Sequence, residues 1–157
     1  TREAERHIDL ANMLTIGEGI KALPLKTRGF QNFIIGSLFG WRKKRSKVRR
    51  FREAYIQMAR QNGKSFIAGT IANDFATFSG YKYGRVLIAA PKMDQSKIVW
   101  KEIQKFIESD VELSDLYRVK EHSATIISKV TGTEIKALGR DTKTLDGFRS
   151  NCSIFFL

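Results

Sequence analysis

Apolar residues along the chain recur first at helical spacing, then in short extended runs, and the switches between the two predict most of the elements. Residues 1–23 are mixed: Ile8, Leu10, Met13 and Leu14 follow a helical period loosely, and Gly17 and Gly19 weaken any helix beyond them. After Pro24 an amphipathic helix is predicted over about Arg28–Phe39. Phe30, Phe33, Ile34 and Leu38 fall at i, i+3, i+4 and i+8 and would line its buried face. Phe51–Met58 reads as a strand and Phe66–Phe78 as a helix with Ile67, Ile71, Phe75 and Phe78 on one stripe. Val86–Ala90 is a short continuous apolar run, the signature of a parallel strand covered on both faces, and Pro91 closes it. A helix capped by Asp94 then runs to about Ser109 with Val99, Trp100, Ile103, Phe106 and Ile107 inward. Ala124–Val130 and Thr133–Leu138, joined at Thr131-Gly132, predict a β-hairpin, and Cys152–Leu157 is a second buried-strand signature. Strand–helix–strand–helix order makes a βαβ unit with a parallel sheet.

Between the first predicted strand and its helix lies Met58–Ser65, MARQNGKS. A strand, a sharp loop ending in Gly-Lys-Ser and a helix form the local architecture of a phosphate-binding loop. The first turn of a helix leaves backbone N–H groups without intrahelical partners, and the helix dipole favours negative charge there. Polyphosphate supplies that charge. Gly63 would let the backbone approach phosphate oxygens, Lys64 would set an ammonium between the β- and γ-phosphates, and Ser65 would ligate Mg²⁺. The full motif carries Gly where this chain has Met58, so the tripeptide alone is weak, and its strand–helix setting strengthens it.

Composition narrows the class. The chain has 157 residues, 42% of them hydrophobic, enough for one domain with a core. No apolar run approaches the ~20 residues that span a bilayer, and no secretory leader is expected from the charged start Thr1–Ile8. A single cysteine, Cys152, excludes an intrachain disulfide and fits a reducing compartment; His7 and His122, far apart and without a cysteine cluster, predict no zinc site. The net charge of +12 favours a polyanionic partner, nucleic acid first. That charge concentrates in RKKRSKVRR, where Arg42, Lys43, Lys44, Arg45, Lys47, Arg49 and Arg50 are either DNA-phosphate contacts or a solvated loop.

Four segments, in this order, resemble the ATPase domain of tailed-phage terminase large subunits. They are FQNFIIGSLFGW, RRFREAYIQMARQNGKS with a variant phosphate loop, VLIAAPKMDQSKIVW, and TLDGFRSNCSIFFL, similar to the approach to a Walker B strand. The resemblance spans most of residues 28–157 and accounts for Met58 at the first-glycine position. It implies an α/β fold of the P-loop NTPase (ASCE) type: a mostly parallel sheet flanked by helices, incomplete at the C-terminus, with the hairpin near 124–138. One domain is expected, with 1–50 a helical lead-in and basic loop and 51–157 part of the ATPase core.

The resemblance also implies roles. ATP and Mg²⁺ are the expected cofactors, held by Arg60, Gln61, Asn62, Gly63, Lys64 and Ser65. Arg60 matches an arginine that senses or stabilises the γ-phosphate, and Gln31 matches a glutamine beside the adenine. Gln95 is read as a coupling or DNA-facing residue, and Arg149 and Arg140 as candidates for an arginine projected to a neighbouring subunit. The implied activity is ATP-driven translocation of double-stranded DNA into a prohead, in a homo-oligomeric ring with the small terminase subunit and the portal protein, in the cytoplasm of an infected bacterium and without a membrane. In the family an acidic pair follows the last strand, yet the sequence stops at Leu157, and none of Asp74, Asp94, Asp141 or Asp146 takes that place. The expectation is therefore the N-terminal part of a longer protein, without its nuclease domain and inactive alone. A helicase-like DNA-stimulated ATPase and a plain basic DNA-binding module are the alternatives.

Overall fold

The computed structural model describes residues 2–16, 23–24, 26–59, 61–139 and 150–155. Helix α1 (Arg2–Met13) opens the chain. Two-residue strands β1 (Thr15–Ile16) and β2 (Leu23–Pro24) pair antiparallel. Then come α2 (Gly29–Gly40), α3 (Lys64–Asn73), a π-helical turn (Asp74–Phe78), β3 (Arg85–Ala90), α4 (Met93–Glu108) and α5 (Val111–Asp115). β4 (Tyr117–Lys120), β5 (Thr125–Ser128), β6 (Glu134–Gly139) and β7 (Cys152–Phe155) complete the order.

The main sheet has five strands in the order β4-β5-β6-β3-β7. β3 lies between β6 and β7 and is parallel to both, with Val86 opposite Ile135 and Cys152. β4, β5 and β6 add an antiparallel meander, with Ile126 opposite Ile135. Because side chains alternate across a strand, this register sets Val86, Ile135 and Ile126 in one row and Ile88 and Ala137 in the next. That face joins Phe66, Ile67, Trp100, Ile103 and Phe106 in a single core. Each fully buried aliphatic chain there contributes roughly 1.5–3 kcal/mol.

Helix α4 follows the predicted stripe: Val99, Trp100, Ile103, Phe106 and Ile107 are all buried. Asp94 does not cap it. Lys92 holds the cap position without a side-chain bond, and Asp94 sits in the first turn, where its charge suits the dipole. Helix α3 packs on α4 unusually closely: a Cβ on Gly69 would come within 3.1 Å of the Phe106 ring. The hairpin is present as β5–β6, and β4 extends it.

Three expectations are corrected. Phe51–Met58 is extended but pairs with no strand among the described residues, and only Ile56 and Met58 of it are part-buried. Backbone N–H and C=O groups make a strand only when a neighbour meets them. Here a cleft of about 910 Å³, lined by this segment and by Ser150–Phe155, keeps it from β7. Second, β7 is not a buried strand: its residues alternate between half-buried and exposed, and Phe155 is 71% exposed. Third, α2 turns a different face inward. Gln31, Ile35 and Phe39 are buried while Phe33 is 74% exposed. The helix is apolar nearly all round, so its sequence carries no phase, and docking against α1 chooses the face.

Candidate nucleotide site at the mouth of helix α3

The loop before α3 turns sharply because two of its residues are left-handed: Gln61 at φ 63° and Gly63 at φ 78°. For Gln61 that conformation is strained, and such strain is typical of functional loops. Gly63 is the cap, and the first helical bond of α3 is donated by the Ile67 N–H to the Gly63 carbonyl at 3.0 Å. The amides of the first turn therefore face out of the helix mouth. A Cβ at 63 would also lie 2.7 Å from Nε2 of Gln31, so the end of that side chain would have to shift.

Gln31 is itself buried, and its Oε1 accepts the Arg28 N–H at 2.8 Å. The start of α2 thus lies close against the start of α3. Lys64 is exposed and its Nζ donates to the Met58 carbonyl at 3.2 Å, so the ammonium folds over the loop. Asn62 Nδ2 reaches the Ala59 carbonyl at 3.5 Å, and Ser65 is half-buried one residue inside the helix. The first-turn amides, the Lys64 ammonium and the Ser65 hydroxyl thus follow one another at the start of α3, donor types that suit a phosphate chain. The cleft beside β7 opens onto Lys64. Among the described residues, no group of three or more His, Cys, Asp or Glu could hold a metal ion. Arg60, Arg140 and Arg149 lie outside the described residues. Gln95 is exposed in the first turn of α4.

The family model for the terminase large subunit ATPase domain matches residues 29–155. The chain belongs to that family. The terminase fold is seen again in the crystal structure of the HK97 bacteriophage large terminase, similar at a TM-score of 0.82 and 20% identity over 97% of this chain. The chain covers 30% of that structure. No curated protein matches it. No helix among the described residues of this terminase segment is long and apolar enough to cross a membrane.

The basic run forms a closed turn. Arg42 and Arg49 bridge antiparallel, the Lys43 N–H donates to the Val48 carbonyl at 2.9 Å, and the Arg50 N–H donates to the Trp41 carbonyl at 2.8 Å. Its seven cations divide by what they touch. Arg42 pairs with Glu3 and donates to the Lys47 carbonyl at 2.8 Å. Arg49 lies 4.7 Å over the Phe75 ring, and Arg50 leans on Trp41 and Phe51. Lys43, Lys44, Arg45 and Lys47 are exposed.

One polar pair has no signature in the sequence. His7 Nδ1 and Asp74 Oδ1 are 2.7 Å apart, both almost fully buried, at 4% and 3% exposure. His7 stacks on Phe39, and Ser79 Oγ donates to the other Asp74 oxygen at 2.9 Å. The partners are 67 residues apart and sit in no motif, so no local signal joins them. Nearby, burial pushes the Tyr117 hydroxyl up to about 12, against the lowering effect of its bond to Thr77 and with the Asp74 charge adding to the rise. Burial likewise pushes the Cys152 thiol up to about 11, offset by Arg49.

Proposed function

We propose that this segment binds ATP at the mouth of α3 and drives double-stranded DNA translocation during phage packaging. The carrying observation is the left-handed Gly63 cap, with Lys64 and Ser65 after it, inside a terminase ATPase segment. Gly63 and the first-turn amides cradle the β- and γ-phosphates, with Arg60, Gln61 and Asn62 closing the loop around them. Lys64 leaves the Met58 carbonyl to neutralise phosphate charge, Arg60 stabilises the γ-phosphate, and Ser65 supplies one Mg²⁺ ligand; the metal, when bound, neutralises developing charge. Phosphoryl transfer needs positioning and electrostatics above all, which this mouth is built to provide.

Gln31 acts at the same place by holding the loop at Gly63, on the side where the family resemblance puts the adenine. Lys43, Lys44, Arg45 and Lys47 meet DNA phosphates, Gln95 couples the two, and Arg140 or Arg149 reaches a neighbouring subunit of a ring that works with the small terminase subunit and the portal in the host cytoplasm. No residue of this segment is assigned as the water-activating acid, and no nuclease role is assigned to it. In the intact protein Lys64→Ala abolishes ATP turnover, read by phosphate release; unchanged turnover would refute the assignment. The 157-residue polypeptide alone should turn over ATP poorly, and robust Lys64-dependent turnover by it would remove the need for an acid outside it.

A further inference from the structure

The basic turn has aromatic rings at its foot. The Arg42–Arg49 bridge and the bond from the Arg50 N–H to the Trp41 carbonyl set Trp41 beside Arg50, with Phe51 next in the chain. The Trp41 and Phe51 rings lie 5.9 Å apart at 42°, and the Arg50 guanidinium sits 5.8 Å from the first centroid and 6.0 Å from the second. Even so, Trp41 is 55% exposed, whereas the other tryptophan, Trp100, is 2% exposed. Lys43, Lys44, Arg45 and Lys47 occupy the tip, exposed and in no ion pair among the described residues. From Trp41 to Arg45 is four residues, at most about 14 Å of chain.

We infer that this turn holds an unpaired stretch of DNA, with one base stacked on Trp41 and the adjoining phosphates on the tip cations. The inference rests on the DNA-phosphate role proposed for those four cations, and it is independent of the nucleotide site. Charge selects a polyanion: residues 42–50 hold seven cations and no acid, and lysine is depleted from protein–protein interfaces. The indole narrows the choice. Inside a duplex each base has both faces covered by its neighbours, so an exposed ring meets only edges and sugars. A single strand offers base faces together with phosphates, and a basic surface carrying open aromatic rings binds such strands with little regard to sequence. A base held between two rings needs about twice the 3.4 Å stacking rise, more than the 5.9 Å from Trp41 to Phe51. The base therefore lies on the side of the indole turned away from Phe51. Arg50, also exposed, stays within reach of the same backbone.

The test titrates the protein with an oligothymidylate, an abasic strand of equal length and a blunt hairpin duplex, reading affinity by anisotropy of labelled strands and stacking by tryptophan emission. The oligothymidylate should quench that emission saturably, because Trp41 is open and Trp100 is not. The abasic strand and the duplex should bind with little quenching. Trp41→Ala should weaken oligothymidylate binding about 5- to 150-fold, the loss of one stacked base, and leave the other two affinities unchanged, while Trp41→Phe should recover most of the loss. Replacing the four tip cations should weaken all three. The abasic comparison needs no substitution, so it answers the question even if Trp41→Ala disturbs the turn. Three results overturn the inference: no quenching at saturating oligothymidylate, an abasic strand bound as tightly as the oligothymidylate, or a Trp41→Ala protein that loses strand and duplex alike. If replacing the four cations changes none of the affinities, the phosphate role falls and this inference falls with it.

Discussion

The two edges of the sheet are made differently. On the β4–β5 side, Tyr117, Ile126 and Ile135 are buried, and Tyr117 is tied through Thr77 to the turn after α3 by a 2.5 Å hydroxyl contact. On the β7 side, the strand pairs only with β3 among the described residues, Phe155 stands in solvent, and segment 51–59 faces a cleft. Yet the loop that leads into α3, proposed above to hold phosphate, hangs from the open side. Stability is concentrated on the side where the side chains are buried against one another. Function sits where groups are left for something else to meet.

Substitutions can break that division. The largest expected effect is on turnover: Lys64→Ala should lower it by about 10³-fold or more, while the denaturant midpoint stays where it was, since Lys64 is exposed. A shifted midpoint would mean that the open side carries stability too. Next, Ile135→Ala, on the middle strand β6 where it meets Ile126 of the closed side and fully buried, should cost about 2–5 kcal/mol in urea unfolding. A loss below ~1 kcal/mol would remove the contrast.

Alkaline unfolding sharpens the comparison. The Tyr117 hydroxyl, raised to about 12 in the fold, titrates near 10 when unfolded. The fold therefore keeps its full contribution below about pH 10 and loses on the order of 2–3 kcal/mol as pH climbs to 12. Tyr117→Phe should flatten that part of the stability–pH curve; an unchanged slope would dismiss the role. Replacing Lys43, Lys44, Arg45 and Lys47 together should weaken DNA binding and make it less salt-dependent, by about 0.9 in the log–log slope for each phosphate no longer neutralised. A salt dependence that stays the same would take the turn off the DNA path. The smallest effect is expected from Phe155→Ala, within about 0.5 kcal/mol, because its ring is in solvent.

Legibility divides along the same line. The α4 stripe, the β3 run and the β5–β6 hairpin are readable because their patterns are local and their partners lie inside this segment. The helix start at Gly63 is readable for a similar reason: cap and first turn are consecutive in the sequence. Phe51–Met58 misleads because both alternate sets, Phe51/Glu53/Tyr55/Gln57 and Arg52/Ala54/Ile56/Met58, mix apolar with polar residues, so nothing marks which side would pair. Charge alone puts Arg49 among the DNA contacts, and only packing reveals that it stacks on Phe75. Resemblance puts Gln31 near the nucleotide, but its approach to Gly63 emerges only in three dimensions.

The His7–Asp74 contact bears on where this protein can be cut. The family match starts at residue 29, an inviting place to begin a shorter version for expression. Such a version would discard α1 and leave the Asp74 carboxylate deep in the fold with Ser79 as its remaining hydrogen-bonding side chain. Losing one member of a buried pair costs about 3–5 kcal/mol, a large share of what a domain this size has to spare. A version that begins at residue 29 should therefore unfold at a lower denaturant concentration than one that keeps α1.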